Sequence, residues 1–126
     1  MIVPAPNRPP GVLEVRLHAP SPDAVVVRAE GPLQLRTAAL LAERVRQQLR
    51  RAPHVVLDLS SVTTLDPRVA ADVRAMDAAA CAEGARLHLA AENDSVVAGL
   101  RRICPGRRVV PGPADAVLAA LGADAP

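Results

Sequence analysis

The 126-residue chain has no Phe, Tyr or Trp, no Lys, and only two Cys. Without aromatic rings there is no platform on which unpaired bases stack, which excludes several single-stranded nucleic-acid modules at once. Without Lys there is no phosphate-binding loop ending in Lys-Ser/Thr, and the glycines form no G-x-G-x-x-G fingerprint. Cys81 and Cys104 stand far apart in sequence with no Cys-x-x-Cys or Cys/His spacing, the pattern of two reduced, mostly buried thiols. No run approaches the about 20 apolar residues of a membrane span. The stretch from Met1 to Gly11 lacks the charged start and apolar core of a secretion signal. A cytoplasmic chain without membrane insertion is expected.

What is present describes one globular domain. Half of the residues are apolar, 22% are charged, and 15 basic side chains face 13 acidic ones. All the basic residues are Arg, and a net charge of +2 is too small for a polybasic face. A chain of this length buries roughly two-thirds of its unfolded surface without metal or disulfide staples. The core must come from Val, Leu, Ile, Ala and Met, and small aliphatics favour thin, closely packed layers.

Residues 1–11 hold Pro4, Pro6, Pro9 and Pro10 and read as a disordered lead-in. The domain is expected over 12–122, with a short tail at 123–126. Leu13, Val15 and Leu17 alternate with Glu14, Arg16 and His18, the period of a half-buried strand. Val25, Val26 and Val27 make a second strand, and Gly31-Pro32 ends it. Ala38, Leu41, Val45 and Leu49 then recur at helical spacing behind Thr37, an expected N-cap. Val55 to Leu59 reads as a central strand carrying Asp58, and Ser60 to Leu65 as a polar loop. A second helix bears Val69, Val73, Met76 and Ala80, with Gly84 as its left-handed terminator. Leu87 and Leu89 mark a strand around His88. Asn93, Asp94 or Ser95 caps a helix with Val96, Leu100 and Ile103, Val109-Val110 makes a brief strand, and Pro113 opens a last helix through Val117, Leu118 and Leu121. The order ββαβαβαβα predicts an α/β fold, a mostly parallel five-stranded sheet with four helices.

Chemistry is sparse along this frame. His18, His54 and His88 lie far apart in sequence without a second ligand at helical or turn spacing, so no metal site is expected. Ser60, Ser61, Thr63 and Thr64 cluster without a nucleophile elbow or an evident base. Asp66 reads as the N-cap of a helix that Pro67 begins. Arg68 sits in that first turn, where positive charge opposes the helix dipole, which suggests a role beyond local stability. Arg101, Arg102, Arg107 and Arg108 surround Pro105-Gly106 as a candidate anion site, or as cations favoured near a helix C-terminus. No cofactor and no catalytic group is called for.

The string Gly31-Pro32-Leu33-Gln34-Leu35-Arg36-Thr37-Ala38, followed by Val55-Val56-Leu57-Asp58-Leu59-Ser60-Ser61-Val62-Thr63-Thr64-Leu65-Asp66, resembles the STAS domain of anti-sigma factor antagonists and sulphate transporter tails. The resemblance continues through Gly84 to Leu89 and Val96 to Ile103. It implies a non-enzymatic switch that binds an anti-sigma factor kinase until a Ser directly after the loop Asp is phosphorylated. This chain departs from the family's Asp-Ser-Ser-Gly or Asp-Thr-Ser-Gly at the decisive place, reading Asp66-Pro67-Arg68-Val69. Pro67 has no hydroxyl to accept phosphate, and Pro32 and Gln34 replace the family's acidic loop residues. The resemblance therefore implies a protein-binding module that is constitutive or repurposed. Its expected partner surface is Pro32, Leu33, Gln34, Leu35, Ser61, Thr64, Asp66, Pro67 and Arg68, with an anti-sigma factor or other regulatory protein as partner and a homodimer as a further arrangement. The alternative is a STAS-like sensor of a small anion or nucleotide, or a transporter-associated subunit.

Overall fold

The computed structural model describes residues 12–106 and 109–123, so the expected lead-in, the last tail residues and the Arg107-Arg108 pair lie outside the described residues. The strands are β1 (Glu14–Ser21), β2 (Ala24–Leu33), β3 (His54–Leu65), β4 (Arg86–Ala91) and β5 (Val109–Pro111). The helices are α1 (Leu35–Leu49), α2 (Ala70–Glu83), α3 (Asp94–Ile103) and α4 (Ala114–Ala123). The five strands form one sheet in the order β1-β2-β3-β4-β5. β1 runs antiparallel to β2 as a hairpin, and β2 through β5 are parallel. The predicted α/β architecture and element order are observed.

The period of each segment decides which face it covers. Ala38, Leu41, Val45 and Leu49 of α1, Val73, Met76 and Ala80 of α2, and Val96, Leu100 and Ile103 of α3 are buried on one side of the sheet, against Val27, Val55, Leu57, Leu87 and Leu89. The alternate residues Val26, Val56 and Ala90 face the other side, where Ala114 and Val117 of α4 pack. Both faces of the central strands are thus covered, which explains their near-continuous apolar runs. α4 leaves the outer part of its face, over β1 and β2, to ion pairs: Arg16 with Glu14 at 2.7 Å and Arg28 with Glu30 at 3.4 Å.

Four readings of the sequence need correction. Ser60 to Leu65 is not a loop; it extends β3, pairing Ser61 with Glu30, Val62 with Gly31 and Leu65 with Leu33. Two register shifts make this possible, and the Asp58 carboxylate supports the first by accepting from the Ser60 N–H at 2.9 Å. Gly31 does not end β2, which continues to Leu33; its φ of 108° is a conformation that favours glycine. Thr37 is not the N-cap of α1. Gln34 is, and the Thr37 hydroxyl sits one turn in, accepting from the Gln34 N–H at 3.3 Å and donating to the Gln34 carbonyl at 3.1 Å. Cys104 is buried as expected, whereas Cys81 is exposed on α2. The left-handed Gly84 (φ 68°) closes α2 as anticipated.

Candidate functional site

The C-terminal ends of β2 and β3 are paired as far as Leu33 and Leu65, and just beyond that pair the Asp66 N–H donates to the Leu33 carbonyl at 3.0 Å. This pairing brings two segments 30 residues apart into one edge: Pro32 to Leu35, where the chain passes from β2 into α1, and Asp66 to Arg68, where it passes from β3 into α2. Leu33 is 1% exposed, which removes it from the expected contact surface. Its alternation along β2 points it inward, and its role is to present a carbonyl. Gln34 and Leu35 are exposed.

The second segment is a short 3₁₀ turn, Pro67–Val69, in front of α2. Asp66 caps it: its Oδ1 accepts from the Arg68 N–H at 2.9 Å. Pro67 begins the turn without an N–H to satisfy, and Val69 anchors the far end in the core. The Arg68 guanidinium folds back over the same carboxylate, its Nη2 lying 2.7 Å from Oδ2 and its Nε 3.2 Å from each oxygen. This resolves the misfit between Arg68 and the helix dipole, since the cation is matched locally by the capping anion. The Arg68 hydrogen bonds hold the Asp66 carboxyl below its ordinary range, and Asp66 in turn raises Arg68. The Arg68 side chain remains 72% exposed, against 19% for Asp66. The corner is therefore rigid at its base and open at its tip.

Other expected residues stand differently. The Ser61 hydroxyl accepts from Arg28 Nη2 at 2.8 Å on the α4 side of the sheet, which draws it away from the corner. Thr63 and Thr64 are exposed on the last turn of strand before Asp66. Arg101 and Arg102 are exposed at the end of α3, and Arg74 of α2 donates from Nε to the Ile103 carbonyl at 3.2 Å, filling one of the orphan acceptors there. No group of three or more metal-ligating side chains occurs among the described residues. None of their helices is long and apolar enough to cross a membrane.

Two histidines that sequence distance kept apart are neighbours. His54 opens β3, His88 lies opposite Val56 on β4, and His54 Nδ1 is 3.1 Å from His88 Nε2. Burial, then His54 and Arg86, lowers the His88 pKa from 6.5. The unfolded chain therefore takes up this proton at a pH where the folded chain still resists it. Stability is unaffected well above 6.5 and falls as the pH drops through that value toward the folded pKa. Chemical denaturation at about pH 7.5 and about pH 5.5 should show this loss, and His88→Gln should reduce it.

A parallel sheet with a hairpin edge, three helices on one face and one on the other, and a capped, solvent-facing corner at the strand ends defines a STAS-type domain. The family model described as "Mlab, STAS domain" matches residues 18–104, and the chain belongs to that family. Solved structures agree on the fold. The unphosphorylated anti-sigma factor antagonist SpoIIAA aligns with a TM-score of 0.73 and 11% identity over 90% of this chain and 100% of that one. The phosphorylated form of the Bacillus cell fate determinant SpoIIAA gives 0.68 and 11% over 86% and 99%. An anti-sigma factor antagonist from Mycobacterium paratuberculosis gives 0.69 and 20% over 88% and 96%. No curated protein matches the sequence significantly.

Proposed function

We propose that this protein is a non-catalytic docking module that binds an anti-sigma factor or a related regulatory polypeptide in the cytoplasm and so acts on transcription. The observation that carries the reading is the corner itself: a capped turn whose tip, Pro67 and Arg68, is exposed beside Gln34 and Leu35. Rigid bases with open tips suit recognition because little conformational freedom is lost on binding.

The SpoIIAA structures represent a protein with phosphorylated and unphosphorylated forms. A phosphate at such a corner adds nearly two negative charges and reverses an electrostatic match. Here the turn Asp66 to Val69 contains no hydroxyl, so binding is constitutive. Incubation with ATP and an extract of the native host, followed by intact-mass measurement, tests this. No phosphate on the domain is the expected result. Stoichiometric phosphate on Thr63 or Thr64, or an acyl phosphate on Asp66, would restore a switch and overturn the constitutive reading.

A further inference from the structure

We infer that the docking surface extends from the corner along the exposed face of α1, and that it receives an acidic amphipathic segment of the partner. The inference rests on the proposed docking function. Leu40 is the most exposed large apolar residue of the described chain at 58%, and Leu35 follows at 45%. Neither belongs to the buried stripe of α1, which consists of Ala38, Leu41, Ala42, Val45 and Leu49 with Gln48. Helix propensity does not require leucine there, since Arg, Gln or Glu serve equally well at exposed positions and occupy the neighbouring ones.

The surroundings of Leu40 select the partner's chemistry. Arg36 and Arg44 lie one turn before and one turn after it, on the same ridge of the helix. Both are exposed, and neither has an ion pair among the described residues. The adjacent anion, Glu43, is bound to Arg46 at 2.8 Å, and Asp66 at the corner is bound to Arg68. A polypeptide that covers Leu40 must also desolvate the two guanidiniums beside it. That cost is offset only by carboxylates one turn either side of its own apolar residue. The ridge begins at Arg36, two residues after the capping residue Gln34, so its first turn starts next to the corner, while Leu35 lies on another side of the helix. An anionic membrane is a poorer fit, because interfacial helices present a broad apolar face, and this ridge offers one leucine between cations.

The test places a photo-crosslinking amino acid at position 40, at position 68 and, as a control on α3, at position 98, each in the full chain expressed in its native host. The expected result is one polypeptide crosslinked from both 40 and 68 and none from 98. The segment joined to position 40 should carry Asp or Glu around an apolar residue. Reversing both charges, Arg36→Glu with Arg44→Glu, should lower the yield from position 40 by about tenfold or more, because like charges would then face each other. An adduct at 68 with none at 40, or at 40 with a basic segment, a second copy of this chain or lipid, overturns the inference and leaves the corner's docking role standing. No adduct at either position overturns both.

Discussion

Arg68→Glu should abolish capture of the partner while leaving the folded domain intact. The two effects separate because of where Arg68 sits. Its backbone N–H, which the substitution keeps, supplies the capping bond to Asp66, and its side chain is 72% exposed. An exposed ion pair of this kind contributes little to folding. At the tip of a docking surface the same side chain counts for more, because a reversed charge faces whatever carboxylates the partner presents, and juxtaposed like charges suppress association. Affinity purification of tagged wild-type and variant protein from the native host, with identification of the bound chains, measures the first effect. The thermal unfolding temperature measures the second. Unchanged capture would remove this face from consideration, and a large fall in unfolding temperature would show that Arg68 is structural.

The largest expected effect on stability lies at the opposite extreme of exposure. Leu57 is fully buried in the middle strand, with Val27 and Leu89 as its cross-strand neighbours. Truncation to Ala removes its transfer free energy and leaves a cavity that a sheet covered on both faces cannot close, at a cost of about 2–5 kcal/mol. For a domain of this size that corresponds to a fall of about 8–19 °C in the unfolding midpoint. The core holds no aromatic ring that could swing into the gap. Denaturant titration of Leu57→Ala checks it, and a loss below about 1 kcal/mol would mean that the core relaxes around the hole.

The sequence made the fold legible because its two periods are cleanly separated. The 3.6-residue recurrence from Ala38 to Leu49 assigns a face that the structure buries, whereas the alternation along 13–18 marks the edge strand β1 correctly but its apolar face stays open, with Leu13 and Val15 partly buried and Leu17 exposed. What escaped was set by pairing between distant segments. Ser60 to Leu65 looks like a loop because hydroxyl residues fill it, yet it becomes strand when β2 supplies Glu30, Gly31 and Leu33 as partners through two register shifts. Gly31 and Pro32 look like terminators, and only the geometry reveals a strand that passes through a glycine conformation and continues. The contact between His54 and His88 follows from the register of β3 on β4, which no local pattern encodes.

The candidate corner was readable to the extent that it is local chemistry. Asp66 before Pro67 announces a cap, and the cap is present. Leu33 reads as surface because it stands among loop residues, but the strand reaches it and its side chain turns inward. Nothing local distinguishes Leu40, since a leucine inside an amphipathic helix is ordinarily core. Its exposure depends on a phase difference of one position from Leu41, which is wholly buried.

The most direct test of the docking account is hydrogen–deuterium exchange on the complex isolated from the native host, compared with the free protein. Amides slowed in residues 32–36 and 66–70, with little change along β1, are the predicted result. Protection confined to β1 or to the end of α3, with the Asp66 to Arg68 turn exchanging as fast as in the free protein, would contradict it.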